Sequence, residues 1–246
     1  MTATRNDTGV HGQLLRPLAL LAAGSTGADI ERLVREARAK ARRERRTLTW
    51  SDLEHGLASS ARPPHAVLDW QIAIHEIGHA IVYSALGIGT VATIRIGGRG
   101  GEVAISLDVA ELQDEDGVMK LIAATLGGRV AEKLVLGKVL VGAGGSAESD
   151  LAQATRLALD AETSLGLAAE MPLIYRPLNN VSDGLSYNPN LARRVNHRLE
   201  AAEAIGREVL ERHADIIRSL AERLCACRVI EGTEILEALA RTGSGR

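Results

Sequence analysis

The chain has 246 residues, 46% hydrophobic and 24% charged, with 29 Lys and Arg against 31 Asp and Glu for a formal net charge of −2. Mean hydropathy is near zero, which excludes a disordered tract and an integral membrane protein, and the balanced charge argues against a global field for binding polyanions. Phe is absent and aromatics make up 2%, so the core must be Leu, Ala, Val and Ile, suited to helix packing, and stacking platforms for single-stranded nucleic acid are nearly ruled out.

The polar start lacks the pattern of a signal peptide, and residues 1–23 read as a flexible lead. Thr26 is placed to N-cap a helix with Asp29 in its first turn. That helix runs through Ile30, Leu33, Val34, Ala37 and Ala41, with Arg32, Arg35, Arg38, Lys40, Arg42, Arg43, Arg45 and Arg46 on its other face. A second short helix starts at Thr49-Trp50-Ser51-Asp52, a spacing like a capping box. Paired prolines at Pro63 and Pro64 mark a linker over 61–66 and a domain boundary.

A helix of about twenty residues follows, Val67 to Leu86, ended by Gly87. The β-branched, alternating run Thr90–Ile96 predicts a strand, Gly97–Gly101 a turn and Glu102–Leu107 a second strand. Glu115–Leu136 reads as one helix, with Gly127 and Gly128 allowing close helix contact. Gly142–Ser146 is a loop, Glu148–Leu165 a helix and Met171–Pro189 a long surface loop. From Leu191 a long helix runs with a break near His213, Ile230–Leu239 is a last short helix, and 242–246 is a flexible tail. The expectation is a mainly α fold with a small β-sheet (α+β).

Cys225 and Cys227 lie two apart, too close for a Cys-x-x-Cys redox pair, and are read as buried helix thiols in a reducing compartment. No apolar run approaches the ~20 residues that cross a bilayer. The expected location is the cytoplasm.

The chemistry centres on His75-Glu76-Ile77-Gly78-His79. On a helix, positions i and i+4 share a face, with Cβ atoms ~5–6 Å apart, and two imidazoles there can bind one Zn²⁺ at ~2.0–2.1 Å each. Glu76 borders the same face, where a carboxylate can take a proton from a zinc-bound water. The competing reading is an amphipathic helix with two half-buried histidines. Against it, Ile74, Ile77, Ile81 and Ala85 already form an apolar face, and Gly78 inside a helix costs roughly 1 kcal/mol relative to Ala, a sign of something approaching closely. A catalytic zinc takes a third protein ligand. No His or Glu stands at metzincin spacing, and the region where thermolysin-like enzymes carry a helical Glu is a strand here. Glu148 and Asp150, both expected in the first turn after a glycine loop, are equal candidates by residue type, and both also suit a helix N-terminus without any metal.

These pieces together resemble the peptidase domain of FtsH, the AAA+ zinc metalloproteases. They are His75-Glu76-Ile77-Gly78-His79-Ala80, then Leu126-Gly127-Gly128-Arg129-Val130-Ala131-Glu132-Lys133-Leu134, then Ser149-Asp150-Leu151 through Thr155, with Ala221–Leu224 and Ile230–Ile235 like that family's closing helices. Thr26–Leu33 and Leu48–Leu53 resemble the last helices of an AAA+ lid, so residues 24–60 would be a lid remnant and 67–241 the peptidase domain. The resemblance implies that His75, His79 and Asp150 are zinc ligands, that Glu76 is the general base, and that Glu132 lies near the site, beside a ligand His; an ordinary exposed helix Glu is the alternative for Glu132. It also implies a homo-oligomer, a hexamer in the family. Ile77 stands where the family has Ala, and 142–149 departs from its usual loop.

No Gly-x-x-x-x-Gly-Lys-Ser/Thr run occurs, so no ATP hydrolysis is expected. The opening Met1-Thr2-Ala3 favours a short homologue over a fragment. The function expected is zinc-dependent endoproteolysis of unfolded chains, with a strand within 90–107 binding substrate through its edge, and with an AAA+ ATPase as a further partner. The alternatives are a non-catalytic assembly partner of a full-length protease and a nucleic-acid binder using the basic helix; the intact Glu76 and the near-neutral charge count against each in turn.

Overall fold

The computed structural model describes residues 25–60, 65–97, 100–177 and 181–243, together with Leu18 and Ala22. It divides into two compact units, one comprising Met1–His65 with Gly97–Gly100 and the other Ala66–Ile96 with Gly101–Arg246. The lead before Leu18, the linker residues 61–64 and the last three residues lie outside the described residues.

In the first unit, α1 (Gly27–Arg43) begins with the expected cap: Thr26 accepts from the Asp29 amide, and the Asp29 side chain accepts from the Thr26 amide in return. Ala37 and Ala41 are buried while the arginine face is exposed. α2 (Trp50–Ser60) packs against α1, with Gly56 over Leu33. At its start Asp52 accepts from the backbone and hydroxyl of Thr49 and takes both arms of Arg46 at 2.6 Å.

The second unit is built around α3 (Ala66–Ala85). Its residues Ala73, Ile74, Ile77, Ala80, Ile81 and Val82 are fully buried. They meet Ile88, Val91 and Ile94 of the sheet region and Ile217, Leu220, Ala221 and Leu224 from the C-terminal helices in one core cluster. β1 (Gly89–Gly97) and β2 (Gly100–Leu107) follow, then α4 (Glu115–Thr125), α5 (Gly127–Leu136) and α6 (Asp150–Thr163). α7 (Val181–Ser186), α8 (Pro189–Arg212) and α9 (Ala214–Cys227) lead to β3 (Val229–Glu231) and α10 (Gly232–Gly243). A second core cluster joins α4, α6 and α8 through Ile122, Ala158, Leu159, Leu191 and Val195. The fold is mainly α with a small β-sheet, as the sequence implies.

The structure corrects four elements. The single helix expected over Glu115–Leu136 is two, broken at Leu126, where the backbone turns (φ −87, ψ −3). The break starts α5 at Gly127, where its backbone reaches α3: a Cβ on Gly78 would lie 2.5 Å from the Gly127 carbonyl oxygen and from Ala131 Cβ. Ile230 opens no helix. It pairs with Ile94 in a third strand, giving sheet order β2-β1-β3 with β1 and β3 antiparallel. Three residues are too few for a readable alternation; the pairing with β1 makes them a strand. Gly232 then begins α10 so close to the Val91 carbonyl that no side chain fits. The loop predicted over Met171–Pro189 contains α7. Finally, α6 starts at Asp150 with Ser149 as its N-cap, leaving Glu148 outside the helix. The break at His213 lies where periodicity placed it.

One buried ion network ties α4, α6 and α8 together. Glu162, 3% exposed, accepts from Arg198 Nε at 2.5 Å and from Arg194 Nε at 2.8 Å, while Arg198 also reaches Glu115 and the Leu167 carbonyl. Burial raises the Glu162 pKa, but the two arginines outweigh it and hold the group below its usual value. A depressed carboxylate stabilises the fold above its unfolded pKa of about 4.5, and that contribution is lost as pH falls through the folded value. Glu162→Gln is therefore expected to lower stability at pH 7 by about 2–3 kcal/mol, with the gap to wild type narrowing below about pH 4.5. Urea unfolding at several pH values checks this; a gap independent of pH would mean that packing, not charge, sets it.

Candidate metal centre

α3 presents His75 and His79 on one face one turn apart, with ring centroids 4.7 Å apart and nearly perpendicular planes. Each imidazole is fixed from behind. His75 Nδ1 bonds Glu132 Oε1 at 2.8 Å and His79 Nδ1 bonds the Ala124 carbonyl at 2.9 Å. A carbonyl only accepts, so His79 carries its proton on Nδ1 and turns the Nε2 lone pair forward. His75 has the same arrangement against a carboxylate. Both Nε2 atoms then face Asp150 Oδ2, which N-caps no turn of its own but is aimed inward from the first residue of α6.

The three donor atoms form a small triangle: 2.9 Å from His75 Nε2 to Asp150 Oδ2, 3.1 Å between the two Nε2 atoms, and 3.3 Å from His79 Nε2 to Asp150 Oδ2. Tetrahedral zinc with ligand bonds of ~2.0–2.1 Å requires donor separations of about 3.3 Å. Among the described residues this is the one group of three His, Cys, Asp or Glu side chains close enough to share a metal ion. Two imine lone pairs and a carboxylate oxygen repel at this range unless a cation or proton sits among them, so the donor set fits a divalent cation. Protonation is the metal-free alternative. Burial lowers the His75 pKa, but its bonds to Asp150 and Glu132 and the charge of Glu76 outweigh that and raise it, while Asp150 is held well below the usual carboxylate range.

Glu76 is 9% exposed and its pKa is raised, first by burial, with the charges of Asp150 and Glu102 adding and the two histidines opposing. Gly101 of β2 lies directly against its side chain. Glu132 is 2% exposed and uses both oxygens: Oε1 holds His75, and Oε2 accepts the Leu140 amide at 2.7 Å. It is no ordinary exposed helix glutamate. It links a histidine of the donor set to the loop that leads to Asp150. The structure thus brings His75, His79, Asp150 and Glu132 together and leaves Glu148 exposed and outside the donor set.

Several contributors carry no readable sequence signal. The Ala124 carbonyl and the Leu140 amide are backbone groups. Gly128 supports the His75 ring: a Cβ there would lie 2.6 Å from three of its atoms. The adjacent Gly127 and Gly128 inside a helical pattern are the one hint of that close approach.

The sequence profile of peptidase family M41 matches residues 69–238. The chain is 29% identical to the ATP-dependent zinc metalloprotease FtsH 4 of Synechocystis sp., covering 92% of this chain and 40% of that protein. It is 30% identical to the FtsH 2 of Sphaerobacter thermophilus, covering 90% and 36%, and to the FtsH of Thermotoga maritima, covering 96% and 42%. The chain thus spans about two fifths of the length of these relatives.

Gly128→Ala is expected to displace the His75 ring while leaving the α3–α5 crossing at Gly78 intact. Competition against a chelating dye should read a fall in divalent-metal affinity of about 10- to 100-fold, the range for disturbed ligand support. Wild-type affinity in this variant would show that the ring has room to move.

Proposed function

The chain belongs to peptidase family M41, and we propose that it is a zinc-dependent endopeptidase, cleaving unfolded or loosely folded polypeptides without nucleotide hydrolysis by these 246 residues. The observation that carries this reading is the triangle of His75 Nε2, His79 Nε2 and Asp150 Oδ2, with edges between 2.9 and 3.3 Å. In this reading those three side chains hold one Zn²⁺, Glu76 is the general base, and Glu132 orients His75. When bound, the ion supplies Lewis acidity toward a scissile carbonyl and lowers the pKa of a bound water to about 7.

Glu76 takes the proton of the attacking water and later delivers it to the leaving amine. Its burial raises its proton affinity, which makes it a stronger acceptor from water. The histidine protons on Nδ1 stay fixed by Glu132 and the Ala124 carbonyl, so neither imidazole competes for the transferred proton. β2 is an edge of the sheet, and an extended peptide adds to it through main-chain bonds that read little side-chain identity. That suits unfolded substrates, whereas folded proteins resist without a motor.

The absence of a Gly-x-x-x-x-Gly-Lys-Ser/Thr run from the 246 residues supports action without nucleotide hydrolysis in this chain. Residues 24–60 are assigned to a lid-like helical remnant and 67–241 to the peptidase. The consecutive exposed Leu173, Ile174 and Tyr175 support assembly with further copies, a hexamer by analogy with the family, and an AAA+ ATPase remains the natural partner for folded substrates. Among the described residues no helix is long and apolar enough to cross a membrane. The two cysteines, expected to be buried, are half-buried; a cytoplasmic setting belongs to the same proposal.

Casein cleavage without nucleotide tests the reading. Wild type is expected to cleave, chelator to abolish cleavage, and added zinc to restore it. Glu76→Gln should lose about 10²–10⁴-fold in rate while still binding one zinc per chain. A chain that binds zinc and cleaves nothing would be a non-catalytic assembly partner instead.

A further inference from the structure

We propose that Gly101 is a positioning residue for Glu76: the bare backbone of the edge strand receives the glutamate side chain and sets where its carboxylate points. The inference rests on Glu76 acting as the base.

A Cβ at position 101 would lie 2.4 Å from Glu76 Cγ, 2.5 Å from Oε1 and 2.6 Å from Cδ. Real atoms do not approach so closely, so the native position of the carboxylate requires glycine here. Two features separate this from ordinary packing. The three nearest atoms, from Cγ outward, all belong to one flexible side chain, so a methyl group displaces the carboxylate and need not move the strand. Gly101 is also absent from the positive-φ glycines, unlike its neighbour Gly100 at +134, so alanine fits its backbone. Glycine at 101 therefore serves the neighbour it touches.

This stretch of β2 is held in place. Glu102, the next residue, is ion-paired to Arg95 of β1, and β1 is buried against α3 through Val91, Ile94 and Ile96. Glu76 itself projects from the rigid middle of α3. Helix and strand thus trap the carboxylate between them. The same strand offers its edge to an extended peptide, so one segment would set both the substrate and the base. A displacement of about 1 Å in such a constellation can cost on the order of 10²-fold in rate.

The experiment compares wild type, Gly101→Ala, Glu76→Ala and the double variant. For Gly101→Ala the expected result is an unchanged melting temperature, zinc affinity within about twofold of wild type, KM within about threefold, and kcat reduced at least about tenfold. A crystal structure of the metal-free variant should place the Glu76 carboxylate away from its wild-type position. Glu76→Ala removes every atom of the clash, so Gly101→Ala should cost less than about twofold in the residual rate of that background. Wild-type kcat in Gly101→Ala, an unmoved carboxylate, or an equal cost in both backgrounds would overturn the proposal. So would a fall in kcat that tracks lost zinc or lowered melting temperature, which would place the effect on the fold. If wild type binds zinc and cleaves nothing, the endopeptidase reading fails, while crystallography of the metal-free variant still decides whether Gly101 positions Glu76.

Discussion

The second unit depends on a backbone-to-backbone contact. α3 and α5 cross at Gly78 and Gly127, where a methyl group on either residue would lie 2.5–2.9 Å from the other's carbonyl oxygen. Glycine inside a helix costs roughly 1 kcal/mol relative to Ala, and this crossing is what that cost secures. With the helices so close, Gly128 comes to rest under His75, and Glu132, one turn further along α5, reaches His75 Nδ1 at 2.8 Å. A wider crossing would leave the ring without support and Glu132 without a partner. The break at Leu126 serves the same contact, since α5 takes a direction that a continuation of α4 would not have given. It also leaves the Ala124 carbonyl facing His79.

The metal centre then gathers from three directions. α3 brings two imidazoles, α5 and the end of α4 fix their tautomers, and the start of α6 supplies a carboxylate. Burying three such donors within 3.3 Å of one another is unfavourable in isolation, which is why the arrangement suits a divalent cation. Glu132 adds a mechanical link, because its second oxygen holds the Leu140 amide and so ties the loop that carries Asp150 to His75. The sheet contributes on the other side, with β2 lying over Glu76. Helices therefore build the donor triangle, and the strand closes over the acid beside it.

Much of this was legible along the chain. The His75/His79 pair follows from the 3.6-residue period, which puts i and i+4 on one face. Thr26 and Asp29 read as a cap because local side-chain-to-backbone bonds need only neighbours. β1 declared itself by alternation. What was illegible depended on distant partners. β3 is three residues that become a strand only by pairing Ile230 with Ile94. Glu148 and Asp150 stand two apart with the same charge, level by residue type and separated along the chain only by the family resemblance, which favours Asp150; in the fold Asp150 joins the donor set and Glu148 stays in solvent.

The amino-acid order by itself determined the helical face that bears the two histidines, the acid beside them, the glycines that permit close approach, and the likeness to a family of zinc peptidases. Periodicity and residue chemistry act over a few positions, so they can be read without the fold. Only the tertiary structure decided that Asp150 Oδ2 lies within 3.3 Å of both Nε2 atoms, that Glu132 is buried between His75 and Leu140, and that Gly101 abuts Glu76. Apart from the Glu132–Leu140 bond, those contacts join residues 25 to 75 positions apart, and they exist only once the Gly78–Gly127 crossing and the sheet have brought their elements together.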